Sequence, residues 1–184
     1  MAKESILWRR LDTPGHDACG LQGNEAGWRL DGTAVFHDSG APAVLDYWLA
    51  CDLAWRTQRG GVRGWLGERS VELVIERTAE GVWTLNDAVV PDLERCVDLD
   101  FGFTPATNLP QLRRAALAVG QSADVPAAWL DVSAGTLTIL PQRYERRTWT
   151  TYWYEAPSVG YADTLEVGPT GFIHLYPGLW EAEG

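Results

Sequence analysis

The sequence is poor in the residues that most often mark metal sites, disulfide scaffolds and nucleic-acid binders. It holds 3 cysteines and 3 histidines in 184 residues. Cys19, Cys51 and Cys96 are odd in number and widely separated, and none belongs to a CxxC pair. That argues against a disulfide framework and a cysteine-based zinc site. His16, His37 and His174 lie in unrelated contexts and read as surface or turn residues. No GxSxG, HExxH or Walker pattern occurs, so no cofactor and no metal are expected. No window approaches the roughly 18 apolar residues that a membrane-spanning helix needs. The segment MAKESILWRRL meets charge too early for a signal peptide, and the expectation is a cytoplasmic protein with reduced thiols. A basic face is lacking too. The net charge is -10, the pI is near 4.7, and apart from Lys3 the 15 basic residues are scattered arginines, which argues against a nucleic-acid partner.

What is present is apolar, aromatic and extended. A chain that is 46% hydrophobic and 22% charged folds into a globule, and no linker-like tract divides residues 1–184, so one domain is expected. The aromatic set is large: 10 Trp, 6 Tyr and 4 Phe. Such side chains either fill a β-rich core or line a cavity for a lipid, sugar or aromatic ligand.

Periodicity is mostly two. In Leu45 to Arg56, LDYWLACDLAWR, every odd position is apolar, while Asp46, Asp52 and Arg56 fall on the even set; this predicts one long half-buried strand. SVELVIER and VWTL read as a hairpin, followed by an Asn86-Asp87 turn. ILWRRL, WRLDGTAVFHD, TLTIL, YERRTWTTYWYE, DTLEV and GFIHLY add strands. GGVRGWLG at Gly60–Gly67 reads as a flexible hairpin loop. Helical signals are few: VPDLER could hold one turn, and LPQLRRAALAVG suits a short helix or a strand. The fold class is therefore all-β and mainly antiparallel, as a sandwich, an open barrel or a rolled sheet. Two segments, LVIERTAEGVWTLND and TLEVGPTGFIHLYPG, echo each other as strand, glycine turn and aromatic strand.

The segment that most invites a chemical reading is Cys96 to Arg114, CVDLDFGFTPATNLPQLRR, with two aspartates, two prolines, an asparagine and an arginine pair. In an extended Val97–Phe103, the apolar residues share one face and Asp98 and Asp100 share the other. Asn108-Leu109-Pro110 reads as a turn, after which Arg113 or Arg114 can reach back to the aspartates. Three readings stay open: a metal-binding Asp-x-Asp, a glycosidase-type carboxylate pair, and a structural ion pair holding a β-connection.

These residues, together with YWLACDLAWRT, GVWTLND, VPAAWLDV, QRYERR and GFIHLYPGLW, carry a family resemblance. The chain resembles bacterial proteins grouped as "putative glycolipid-binding", from about Tyr47 onward. The resemblance implies a spiral β-roll with few helices, similar to carriers that hold acyl chains against a curved sheet. By position it implies ligand contacts at Trp55, Arg56, Trp83, Asp98, Asp100, Thr104, Pro105, Asn108, Arg113, Arg114, Tyr144 and Tyr176. The expected partner is a lipid, glycolipid or similar amphipathic molecule, bound without turnover, with a sugar ring on Trp55 or Trp83. Two other readings remain: an enzyme using Asp98 and Asp100, and a scaffold whose aromatic face meets another protein or a second copy in a homodimer.

Overall fold

The computed structural model describes residues 4–184. Its strands are β1 (Glu4–Arg10), β2 (Gly15–Asn24), β3 (Gly27–Asp38), β4 (Ala41–Cys51), β5 (Thr57–Leu66), β6 (Arg69–Arg77), β7 (Trp83–Leu85), β8 (Ala88–Val90), β9 (Asp98–Asp100), β10 (Ser122–Asp124), β11 (Ala127–Asp131), β12 (Thr136–Leu140), β13 (Arg143–Arg146), β14 (Thr151–Ala156), β15 (Tyr161–Val167), β16 (Ile173–Tyr176) and β17 (Trp180–Ala182). One α-helix, α1 (Asn108–Ala115), follows a 3₁₀ turn at Pro105–Thr107. The expected all-β class holds: 58% of the described residues are strand and 8% helix, and most strands form one large curved sheet that does not close into a barrel.

That sheet has 14 strands, ordered β10-β13-β14-β15-β16-β17-β1-β2-β3-β4-β5-β6-β7-β8. It is two antiparallel meanders joined where the first and last strands pair, Trp8 opposite Ala182. A three-stranded sheet, β12-β11-β9, and α1 belong to the intervening segment. Leu99, Phe101 and Phe103 of that segment pack into the core of the first meander with Trp8, Tyr47 and Trp83. Leu112 of α1 joins Tyr144, Tyr152, Tyr154 and Leu165 in the core of the second. Strand alternation produces these cores. In β4, Leu45, Tyr47, Leu49 and Cys51 turn inward, while Asp46 lies on the exposed face.

Three local expectations are corrected. The long strand ends at Cys51, because the Asp52 carboxylate accepts from the backbone N–H groups of Ala54 and Arg56 at 2.9 Å each and closes a turn. Trp55 sits there at φ +64° and Leu53 is exposed, so their apolar alternation reflects no strand. The glycine-rich stretch is β5 rather than a flexible loop: a Cβ on Gly61 would meet the Trp48 indole at 2.7 Å, and one on Gly60 would meet Leu99 at 2.6 Å. Asn108-Leu109-Pro110 is not a turn but the first turn of α1, where proline costs no hydrogen bond. The expected Asn86-Asp87 turn is present, with φ of 47° and 67°, as a two-residue hairpin requires.

Candidate functional site

The signature segment folds inward. Asp98 and Asp100 are 1% and 7% exposed. Asp98 lies on β9 within reach of the last turn of α1, and Arg114 clamps it with Nε donating to Oδ1 at 2.9 Å and Nη2 to Oδ2. Asp100 has no cationic partner among the described residues. It accepts from the Gly102 N–H at 2.8 Å and from Gln111 Nε2 at 3.0 Å. Gln111 Oε1 accepts in turn from the Tyr144 hydroxyl at 2.8 Å and from Gln142 Nε2. Asn108 Nδ2 donates to the Tyr144 oxygen at 2.8 Å, and the Tyr154 hydroxyl donates to Gln142 Oε1 at 2.7 Å. Burial raises the pKa of both aspartates, opposed at Asp98 by Arg114 and at Asp100 by its neutral donors.

A third buried carboxylate, Asp17, lies nearby. The Tyr47 hydroxyl donates to both oxygens of Asp17, at 2.9 and 3.0 Å, and the Thr104 hydroxyl donates to Oδ2. Thr104 also caps the 3₁₀ turn by accepting from the Ala106 N–H. Among the described residues no cation pairs with Asp17, and desolvation pushes its pKa up to about 7.

Six of the residues singled out by resemblance, namely Asp98, Asp100, Thr104, Asn108, Tyr144 and Trp83, are thus interior. The indole of Trp83 is 1% exposed and donates to the Cys96 carbonyl at 3.2 Å. Pro105 is buried as well. Arg56 and Arg113 are exposed, while Trp55, Arg114 and Tyr176 are half-buried. Trp55 stacks on Trp28 with centroids 4.3 Å apart, and Arg113 lies 6.0 Å from its ring. Tyr176 packs against Tyr154 and Tyr161 at 5.8 and 4.9 Å. The structure therefore gathers the signature around internal partners and spreads the others over the rim.

A cavity lies elsewhere, lined by none of the residues singled out by resemblance. A cleft of about 1220 Å3 crosses β1 to β6 at right angles to the strands. Its middle row, paired in register, is Ile6, Cys19, Gly32, Tyr47, Val62 and Leu73, of which Cys19, Tyr47 and Val62 are buried. The flanking rows supply the exposed side chains Leu7, Asp31, Thr33, Asp46, Arg63 and Glu72. Pro169, Thr170 and His174 also line it. Its aromatic element is Trp48, half-buried, whose indole crosses Gly61, with the Arg29 and Arg59 guanidiniums 4.7 and 5.7 Å from the ring.

The polar wall is only partly satisfied by the protein. Arg29 forks onto Asp31, and Thr33 donates to Asp46 at 2.7 Å. Arg63 is in register between Asp46 and Glu72, yet none of the three takes part in an ion pair within 4.0 Å among the described residues. These groups can accept from and donate to a polyhydroxylated ligand, with Trp48 as a flat apolar surface beside them. Sequence reasoning missed this wall. Its signal was an aromatic residue, Trp48, among carboxylates on the exposed face of the clearest strand.

No curated protein matches the chain. A crystal structure of a DUF1089 family protein from Pseudomonas aeruginosa, at 1.80 Å resolution, matches with a TM-score of 0.78 and 24% identity, over 98% of this chain and 92% of that one. A family model described as "putative glycolipid-binding" matches residues 5–182, nearly the whole chain, and the chain belongs to that family.

Proposed function

We propose that this protein binds a glycolipid or a similar amphipathic molecule, without chemical turnover, in the cleft across β1–β6. The observation that carries the reading is the unpaired Arg63 between Asp46 and Glu72, beside the Trp48 surface, in a cleft of about 1220 Å3. Sugar hydroxyls can donate to Asp46 and Glu72 and accept from Arg63, while a ring face covers the Trp48 indole. Leu7 and Val74, on the exposed face of the sheet, offer apolar wall for an acyl chain, at about 25 cal/mol for each Å2 buried before ordering costs. Family membership supports the ligand class. Neither Asp98 nor Asp100 lines this cleft, so the carboxylate-pair reading loses its motive.

Native mass spectrometry of freshly purified protein, with an organic extract of the same sample, tests this. A retained mass of lipid or glycolipid size that falls away in Trp48→Ala is expected. Absence of any adduct, joined to no saturable binding of alkyl glycosides or fatty acids, would sink the reading.

A further inference from the structure

A second cavity, of about 400 Å3, opens between α1 and the β13–β14 hairpin. Its apolar walls are Leu112, Tyr152 and Val167; Arg113 and Arg146 supply its charge, and no acidic residue lines it. That is anomalous in a chain of net charge -10. Arg146 spends its donors on carbonyls rather than carboxylates: those of Thr148 at 3.3 Å, Leu117 at 2.8 Å and Trp149 at 3.1 Å. Arg113 donates to the Thr170 carbonyl at 2.7 Å. Neither guanidinium pairs with a carboxylate within 4.0 Å among the described residues. Burial raises the pKa of the Tyr152 phenol in the same cavity, and these two arginines oppose the rise. The neighbouring acid, Glu145, pairs with Arg147 at 3.7 Å and alternates to the opposite face of β13 from Arg146.

Trp149 stands at the mouth of this cavity, on the hairpin turn, and is 80% exposed. It is held in place rather than loose. Arg146 lies 5.4 Å from its ring and bonds its carbonyl, and Thr148 and Thr151 join their hydroxyls at 2.7 Å across the turn. A Trp ring projecting beside uncompensated arginines is the pairing that favours a bilayer interface, where the ring sits at headgroup depth and the cations meet anionic headgroups.

From this cavity, its missing acids and the projecting ring, we infer that the β13–β14 hairpin is a docking element for an anionic membrane surface, with Trp149 entering the headgroup layer and a lipid phosphate meeting Arg113 and Arg146. An anionic surface repels the protein as a whole, so this acid-free patch also sets its orientation on the bilayer. The inference is independent of what the larger cleft holds.

Co-sedimentation with phosphatidylcholine vesicles, with and without phosphatidylglycerol, tests it on the full chain. Binding to the phosphatidylglycerol vesicles is expected, weakened by added salt and absent from pure phosphatidylcholine. Arg113→Gln is expected to weaken it about five-fold, the share of one cation near the surface. Trp149→Ala is expected to weaken it at least as much, with melting temperatures unchanged in both variants. Equal binding to both vesicle types, no binding to either, or variants that bind as wild type would overturn the proposal. So would saturable uptake of inorganic phosphate that Arg113→Gln abolishes while no vesicle is bound, since that marks a soluble-anion site.

Discussion

Two regions of this molecule contain the same ingredients and use them differently. The Cys96–Arg114 segment and the cleft across β1–β6 each combine carboxylates, arginine and aromatic rings. In the first, Arg114 closes on Asp98, and Asp100, Gln111, Gln142, Asn108, Tyr144 and Tyr154 form one buried chain of hydrogen bonds. In the second, Asp46, Arg63 and Glu72 face solvent without ion pairs beside a half-covered Trp48. A polar group whose partners are all internal specifies a fold, whereas one left open beside a cavity is free to meet a ligand. The Asp-x-Asp segment with its arginine pair is thus held by internal partners, and the open groups beside Trp48 are the binding candidate.

The comparison breaks most directly at Arg114. Arg114→Met strands a buried carboxylate, and a loss of about 3–5 kcal/mol is expected in urea unfolding. A loss under about 1 kcal/mol would mean that Asp98 is not held by this pair. The next effect is one of pH. Asp17 has no cationic partner among the described residues, and burial pushes its pKa up to about 7 when folded, against 3.8 for the free side chain. The folded state therefore holds that proton more tightly than the unfolded chain does. Its contribution is fully present below about pH 4 and is lost as pH rises through 7, by up to roughly 4 kcal/mol. Asp17→Asn is expected to flatten the stability profile between those limits, and an unchanged slope in thermal melts across pH 4 to 8 would contradict it. Gln111→Leu, which orphans the Asp100 and Tyr144 partners, is expected to cost about 1–3 kcal/mol by the same denaturation assay. Trp48→Ala should change stability least, because its ring lies on the sheet surface across Gly61 rather than in the core.

How much of this was legible in the sequence follows the same division. Alternation in β3, β4 and β6 reported the sheet, since each strand buries one face. The reach of Arg114 to Asp98 was legible as an ion pair holding a connection. Hidden were features set by contacts between distant residues. The glycines of β5 look like a loop until Trp48 and Leu99 are seen to occupy the space a Cβ would take. Asp52 ends β4 through its own side chain while the apolar pattern runs on through Leu53 and Trp55. Asp100 is buried because Gln111 and Gly102, which alternation cannot place, supply its donors. Trp48 was visible on the exposed side of an alternating strand, in the same family-like segment as Trp55.

The glycolipid reading is tested most directly by calorimetric titration of a soluble alkyl glycoside into wild type, Trp48→Ala, Arg63→Gln and Arg114→Met, at a temperature where all four are folded. Saturable binding by wild type and Arg114→Met, with affinity at least ten-fold weaker in Trp48→Ala and Arg63→Gln, is the expected result. Equal affinity across the cleft variants, or loss confined to Arg114→Met, would contradict binding in the cleft and return the ligand to the signature segment.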